Sequence, residues 1–304
     1  MATQAPNPMN TFWTVLEPAI GAATGQPFAL RRREPVGGGC IHQAWRVSDG
    51  DRTYFVKVND ATHLPLFEAE AAGLAALAAT ATVRVPAPLG HGVAVGHAYL
   101  VLEYLPLGGS NTGAMERLGR QLAALHARPQ AGFGWRRDNF IGATPQPNPP
   151  GANWAEFWRE HRLGFQLALA ARNGYGGVWL RRGEALCARL EGLFAGYQPF
   201  PSLLHGDLWG GNAGCTRDGE PVVFDPAVYY GDREADLAMT ELFGGFSDRF
   251  YAAYREAFPL VAGYPQRRTL YNLYHVLNHL NLFGGGYRAQ AEWMIEQLLA
   301  ELNG

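Results

Sequence analysis

The spacing of apolar and polar positions changes character once along this chain. Over the first hundred residues, short apolar runs alternate with turn signals. Residues 12–25 fit a short helix that Pro18 is expected to disturb. Strand-like runs follow at 30–36 and 41–47, separated by Gly37-Gly38-Gly39. The polar turn Ser48-Asp49-Gly50-Asp51 then leads into Tyr54-Phe55-Val56-Lys57-Val58. Residues 67–80 are rich in Ala, Leu and Glu and free of Pro, which predicts a helix. Residues 83–105 return to strand character, broken at Pro86 and Pro88, with Tyr99-Leu100-Val101-Leu102 as an apolar core strand. Antiparallel strands with one inserted helix make an α+β unit.

After Leu107-Gly108-Gly109 the apolar spacing becomes helical. Helices are predicted at 115–127, 154–172, 184–197, 232–243, 267–283 and 289–302. The Gly-, Pro- and Asn-rich stretch 132–153 is expected to be ordered but irregular. Residues 203–225 interrupt the helical run with a Gly-rich loop and a short apolar strand, Val222-Val223-Phe224. The expectation is an α+β, two-lobed fold. Residues 1–105 would form a small antiparallel-sheet lobe with one helix, and residues 106–304 a larger, mainly helical lobe.

Composition narrows the function classes. A chain of 304 residues exceeds the usual span of one hydrophobic core, in keeping with two lobes. With 47% hydrophobic and 17% charged residues it reads as a soluble globular enzyme rather than a disordered chain. The net charge of -2 and the lack of a long basic run leave no electrostatic footprint for nucleic acid. Cys40, Cys187 and Cys215 form no C-x-x-C pair, which argues against a disulfide framework or zinc site and for a reducing compartment. No charged-then-apolar leader opens the chain, and no run nears the roughly 20 apolar residues of a membrane span. A cytoplasmic protein with no membrane partner is expected.

The chemistry gathers in the interruption. His205-Gly206-Asp207-Leu208-Trp209-Gly210-Gly211-Asn212 sets an acid and an amide five positions apart, and a further acid, Asp225, follows the next strand. This is the spacing of a kinase catalytic loop. There an Asp takes the acceptor hydroxyl's proton, an Asn binds a metal, and a later Asp holds Mg²⁺ on the phosphates. Phosphoryl transfer asks the protein for orientation and charge neutralisation, and hard Mg²⁺ prefers carboxylate and amide oxygens. Upstream, Lys57 sits in an apolar strand where a charge needs a partner. Glu70 on the following helix is the favoured partner and Glu68 the less favoured, a pair that would position Lys57 on the phosphates of ATP. Gly37, Gly38 and Gly39 suit a flap over phosphates, or a plain hairpin turn. Glu103, Tyr104 and Leu105 end a core strand where a hinge offers backbone groups to adenine, or serve as a simple linker.

The run from Leu203 to Trp209, with Gly211-Asn212, resembles the signature of the fructosamine-3-kinase (ketosamine-3-kinase) family. So do Gly37-Gly38-Gly39-Cys40-Ile41, Phe67-Glu68-Ala69-Glu70, Asp138-Asn139-Phe140-Ile141-Gly142, Asp225-Pro226-Ala227 and the stretch from Asp236 to Phe246. The Asp207 loop and Asp225 are shared with aminoglycoside and choline kinases, whereas Trp209, Cys40 and the Asp138–Gly142 block are more particular. The resemblance implies a two-lobed protein-kinase-like fold that uses ATP with Mg²⁺. It implies phosphorylation of the 3-hydroxyl of a ketosamine (a ribulosamine, erythrulosamine or fructosamine adduct, on protein or free amine), and hence deglycation and repair. Two departures stand out: Gly210 where the family usually has Ser, and His42 where a small polar residue is usual.

Trp209, two residues beyond Asp207, can stack on a sugar and aim its hydroxyl, or pack the loop onto the core. His205 and Asp236 are expected to brace the loop. A thiol at Cys40 suits either a buried, inert residue or a redox-linked dimer of an otherwise monomeric protein. Within the fold the runner-up is an aminoglycoside or choline-type kinase. A nucleotide-binding pseudokinase or a metal-dependent hydrolase built on His205, Asp207, Asn212 and Asp225 are the readings from other classes.

Overall fold

The computed structural model describes residues 8–37, 41–108 and 112–303. Gly38, Gly39 and Cys40, named above for the flap and the redox link, lie outside the described residues.

Helix α1 (Pro8–Thr24) continues through Pro18 without a break, although Pro18 was expected to disturb it. Its stripe Phe12, Trp13, Leu16 and Ile20 is buried. At about 1.5–3 kcal/mol per large apolar side chain, that burial outweighs the ~3 kcal/mol cost of an internal proline. Strands β1 (Arg32–Val36), β2 (Gln43–Ser48), β3 (Thr53–Asp60), β4 (Pro88–Ala94) and β5 (His97–Glu103) form an antiparallel sheet in the order β1-β2-β3-β5-β4. Helix α2 (Leu64–Ala79) is inserted between β3 and β4.

Strand periodicity assigns the two faces of this sheet. Val56 and Val58 of β3 and Val101 of β5 point toward α1 and join Phe12, Trp13, Leu16 and Ile20 in one core. Phe55 of β3 and Ala98, Leu100 and Leu102 of β5 point the other way, toward Phe67, Leu74 and Leu77 of α2. Lys57 alternates with Val56 and Val58, so it shares the α2 face. That second core continues without a break into the helical remainder of the chain.

The remainder holds α3 (Thr112–His126), α4 (Trp154–Trp158), a π-turn (Arg159–Leu163), α5 (Gly164–Arg172), α6 (Val178–Arg189), α7 (Glu234–Leu242), α8 (Asp248–Ala257), α9 (Tyr264–Phe283) and α10 (Arg288–Glu301). Three features depart from the sequence expectations. Helix α8 was not anticipated. Helix α6 begins six residues early, with Gly183 packed against Leu167 inside it. The stretch taken as irregular contains a hairpin, β6 (Asn139–Ile141) paired with β7 (Thr144–Gln146).

The interruption of the helical run is two strand pairs, one nested inside the other. β8 (Ser202–Leu204) pairs antiparallel with β11 (Tyr229–Gly231). Between them, β9 (Ala213–Cys215) pairs with β10 (Pro221–Val223). Residues 205–212 and 224–228 are therefore the two connections from outer to inner pair, and they lie side by side. Among the described residues no helix is long and apolar enough to cross a membrane.

Candidate active site

Three backbone-directed hydrogen bonds zip the two connections together. Phe224 N–H donates to the Asn212 carbonyl at 3.0 Å and Ala227 N–H to the His205 carbonyl at 2.8 Å. His205 closes the third, its Nε2 lying 3.0 Å from the Phe224 carbonyl. The Asp207 N–H donates to His205 Nδ1 at 3.3 Å, so the ring is neutral and carries its proton on Nε2. Burial holds the His205 pKa below its usual value, in keeping with a neutral ring.

Gly206 is what lets the connections touch. Its φ is +82°, and a Cβ there would lie 2.0 Å from the Ala227 carbonyl oxygen. Any side chain would be strained in the backbone and would collide with the neighbouring connection. Gly210, the departure noted above, packs comparably against the turn after α7. A Cβ there would lie 2.9 Å from the Gly244 carbonyl oxygen.

Asp236, in the first turn of α7, fixes the loop from below. It accepts the N–H groups of His205 at 2.7 Å and Gly206 at 2.8 Å, and His126 Nε2 lies 3.1 Å away. Burial alone would raise its pKa, but the hydrogen bond with His126 and those loop contacts hold it below the ordinary carboxylate range. His126 is held in turn by Tyr254 of α8 at 2.9 Å.

On this frame the structure brings together Asp207, Asn212, Asp225, Lys57 and Glu70. Asn212 Nδ2 donates to the Asp207 carbonyl at 2.9 Å and to its carboxylate at 3.0 Å, so the amide oxygen of Asn212 is turned away from Asp207. Lys57 Nζ lies 2.8 Å from Glu70 and 2.6 Å from Asp225. Glu68 pairs instead with Arg137 at 3.4 Å. Burial would depress Lys57, but Asp225 and Glu70 together push its pKa above the usual lysine value, so the ammonium stays charged. Burial, then the Asp225 carboxylate, push Asp207 up to about 7 against the pull of the Asn212 hydrogen bond. Asp225 sits in the left-handed region at φ +56°, a strained conformation for a non-glycine residue.

Other candidates lie around this group. Gly37 is exposed, with open space about its Cα. His42 is anchored rather than free, with Nδ1 2.8 Å from Asn59 Nδ2 and its ring against Phe67 at 4.8 Å. Burial, then nearby Lys57, lower it to about 4, so it is neutral. Glu103 ends β5, and Tyr104 and Leu105 follow it. The Glu103 carboxylate is taken up by Arg84 and by the Ala87 N–H at 3.1 Å, and the Glu103 N–H donates to the Ala87 carbonyl at 2.9 Å, leaving the backbone groups that follow the strand as what this segment can offer a ligand.

Trp209 is 39% exposed, which decides against a purely internal packing role. Its ring covers Gly211 and meets Phe243 edge-on at 6.1 Å. Phe243 continues to His279 at 5.0 Å, and His279 to Phe283 at 5.5 Å and Tyr287 at 5.2 Å. Sequence reasoning missed this aromatic shelf, which starts from Trp209, two residues beyond Asp207. Phe243 closes α7 and His279 and Phe283 end α9, so only tertiary structure joins them. The i, i+4 spacing of His279 and Phe283 on α9 was the one local signal. Among the described residues no three His, Cys, Asp or Glu side chains cluster as a metal site. The oxygen donors Asn212 and Asp225 instead fit a hard cation that is shared with phosphate.

Comparison with known proteins gives this geometry its relatives. The sequence profile of the fructosamine kinase family matches residues 12–301. A Synechocystis sp. protein named "Probable ketoamine kinase" is 52% identical, the match covering 94% of this chain and 97% of that protein. The chloroplastic protein-ribulosamine 3-kinase of Arabidopsis thaliana is 43% identical over 91% of this chain and 86% of its own length. The crystal structure of a candidate fructosamine-3-kinase from Haemophilus somnus superposes with a TM-score of 0.88 at 31% identity, covering 96% and 99% of the two chains. At 14% identity, a choline kinase from Streptococcus pneumoniae shares the protein-kinase-like fold with a TM-score of 0.62, covering 95% and 99%.

Proposed function

From the premise that this chain belongs to the fructosamine kinase family, we propose that it transfers the γ-phosphoryl group of ATP to the 3-hydroxyl of a ketosamine. The acceptor is a ribulosamine, erythrulosamine or fructosamine adduct, and the outcome is deglycation and repair of the modified amine. The observation that carries this reading is the zipped pair of connections, which presents Asp207 and Asn212 beside Asp225 and its partner Lys57.

In this reading the lobe of residues 1–105 contributes the nucleotide contacts and the lobe of residues 106–304 the acceptor contacts. Lys57, held charged by Asp225 and Glu70, meets the phosphates, and residues 103–105 offer backbone groups to adenine. Asn212 and Asp225 hold Mg²⁺ through oxygen atoms, and the bound ion supplies neutralisation of phosphate charge. Asp207 accepts the proton of the attacking hydroxyl; burial has raised its basicity to suit that task at neutral pH. Trp209 and the shelf beyond it receive the sugar and its amine-borne portion, turning the hydroxyl toward Asp207. The proposed setting is cytoplasmic, with no membrane or nucleic-acid partner.

The test is incubation with Mg-ATP and a panel of glycated lysines, aminoglycosides and choline, reading phosphate incorporation. Transfer to a ketosamine 3-hydroxyl is the expected result. Transfer confined to an aminoglycoside or choline, or none at all, would overturn the reading. With the active acceptor in hand, Trp209→Ala is expected to raise the acceptor KM about tenfold, the equivalent of ~1.4 kcal/mol of stacking, with little change in the KM for ATP. A variant with unaltered acceptor KM but a lowered unfolding midpoint would make Trp209 a packing residue.

A further inference from the structure

The Asp138–Gly142 block resembles the family yet supplies no group to the proposed chemistry. Its surroundings give it a different task. Asn139 of β6 and Gln146 of β7 are buried side chains on one hairpin. Asn139 Nδ2 donates to the Val228 carbonyl at 2.6 Å, and Gln146 Nε2 to the Ala227 carbonyl at 3.2 Å. These carbonyls lie two and three residues beyond Asp225. The N–H of Ala227 is already held by the His205 carbonyl at 2.8 Å. The chain leaving Asp225 is therefore gripped from both sides, by the Asp207 loop on one and by the hairpin on the other.

The grip is itself anchored. Asn139 Oδ1 accepts from Gln146 Nε2 and from Asn148 Nδ2, each at 2.8 Å. Arg162, fully buried on the π-turn, donates to Asn148 Oδ1 at 2.6 Å and lies over the Tyr229 ring at 4.1 Å. Tyr274 of α9 donates to Gln146 Oε1 at 2.7 Å. Apolar side chains would fill this space at lower electrostatic cost, so a buried polar network needs a reason beyond filling it. Asp225 supplies one. Its left-handed backbone persists only where the surroundings over-determine it, and the hairpin donors fix the two peptide groups that follow the turn.

We infer that Asn139 and Gln146 are positioning residues. By capturing the Val228 and Ala227 carbonyls, they set the turn that aims the Asp225 carboxylate, and with it the affinity for a nucleotide-bound divalent cation. This rests on the reading of Asp225 given under the proposed function.

The test is a Mn²⁺ titration followed by electron paramagnetic resonance in the presence of AMP-PNP, on the parent protein, Asn139→Ala and Tyr274→Phe. Asn139→Ala is expected to raise the Mn²⁺ Kd about tenfold, in the range seen when groups behind metal ligands are lost. Tyr274→Phe, which removes only an outer hydrogen bond, is expected to raise it roughly threefold. Metal-free AMP-PNP affinity and the acceptor KM should change less than about twofold, since neither depends on the Asp225 turn. Parent-like Mn²⁺ Kd values in both variants would overturn the inference, as would an equal loss of metal-free nucleotide binding. If Asn139→Ala does not fold, Tyr274→Phe decides alone, a parent-like Kd counting against the inference and a weakened one for it. A parent protein that binds no Mn²⁺ with AMP-PNP would overturn the reading of Asp225 and this inference with it.

Discussion

Asp207→Asn is expected to lower turnover about 10³-fold, the middle of the range for loss of a general base. The substitution is close to isosteric. An asparagine oxygen can still accept from Asn212 Nδ2, and the loop remains held through the His205 and Gly206 N–H groups on Asp236. What disappears is the capacity to take a proton. Affinity for the metal-loaded nucleotide, which in the proposed reading depends on Lys57 for the phosphates and on Asn212 and Asp225 for the metal, should stay within a few-fold of the parent. Measuring kcat with a ketosamine acceptor alongside AMP-PNP affinity separates these effects. Turnover within tenfold of the parent would remove Asp207 as the base, and a matching collapse of nucleotide binding would point to a disturbed loop.

The second large effect concerns stability. Arg267→Leu is expected to cost about 3–5 kcal/mol, the usual result of removing one partner from a buried ion pair. Arg267 and Glu234 are both fully enclosed, with Nε 2.6 Å and an NH2 donor 3.0 Å from the two carboxylate oxygens. The guanidinium also donates to the Ala262 carbonyl at 3.0 Å and lies 3.8 Å over the Tyr197 ring. The single variant leaves the Glu234 carboxylate buried without its cation, so the cost exceeds the value of the lost contacts. Adding Glu234→Leu should recover part of the loss because the stranded charge goes with it. Denaturant unfolding of the parent, both single variants and the double variant gives the coupling. A single-variant loss below ~1 kcal/mol would mean the pair does not hold α7 to α9.

Helices with one apolar stripe were readable because burial repeats along a local period. The faces of the sheet were readable for the same reason: Lys57 had to alternate with Val56 and Val58, and that alternation turned it toward α2. Glu70 rather than Glu68 meets it because the helix face is decided only when α2 docks. Helix α8 escaped notice although Ser247-Asp248 opens it and Phe250, Ala253 and Tyr254 form its buried stripe. Glycines and a proline on either side obscured that stripe. Pro18 misled in the opposite direction, since its local cost was smaller than the tertiary gain. The order of Asp207, Asn212 and Asp225 was visible because all three ride on one short stretch of chain. The β8–β11 pairing, the aromatic shelf and the hairpin behind Asp225 were not, since each joins segments whose local patterns carry no mark of one another.

The nesting of β9–β10 inside β8–β11 bears on how the protein reaches its folded form. The bonds that tie Asn212 to Asp207, His205 to Phe224 and Gly206 to Asp236 close over sequence separations of 5, 19 and 30 residues. The Lys57–Asp225 bond spans 168. Loop-closure entropy grows by only ~0.6 kcal/mol per doubling, so the long separation adds about 2 kcal/mol over the 19-residue one. It also requires β3, which carries Lys57, to be paired with its neighbours first. Of these bonds the one from Lys57 should therefore be the last to form, so the acid-bearing part of the molecule is finished while its lysine is still arriving.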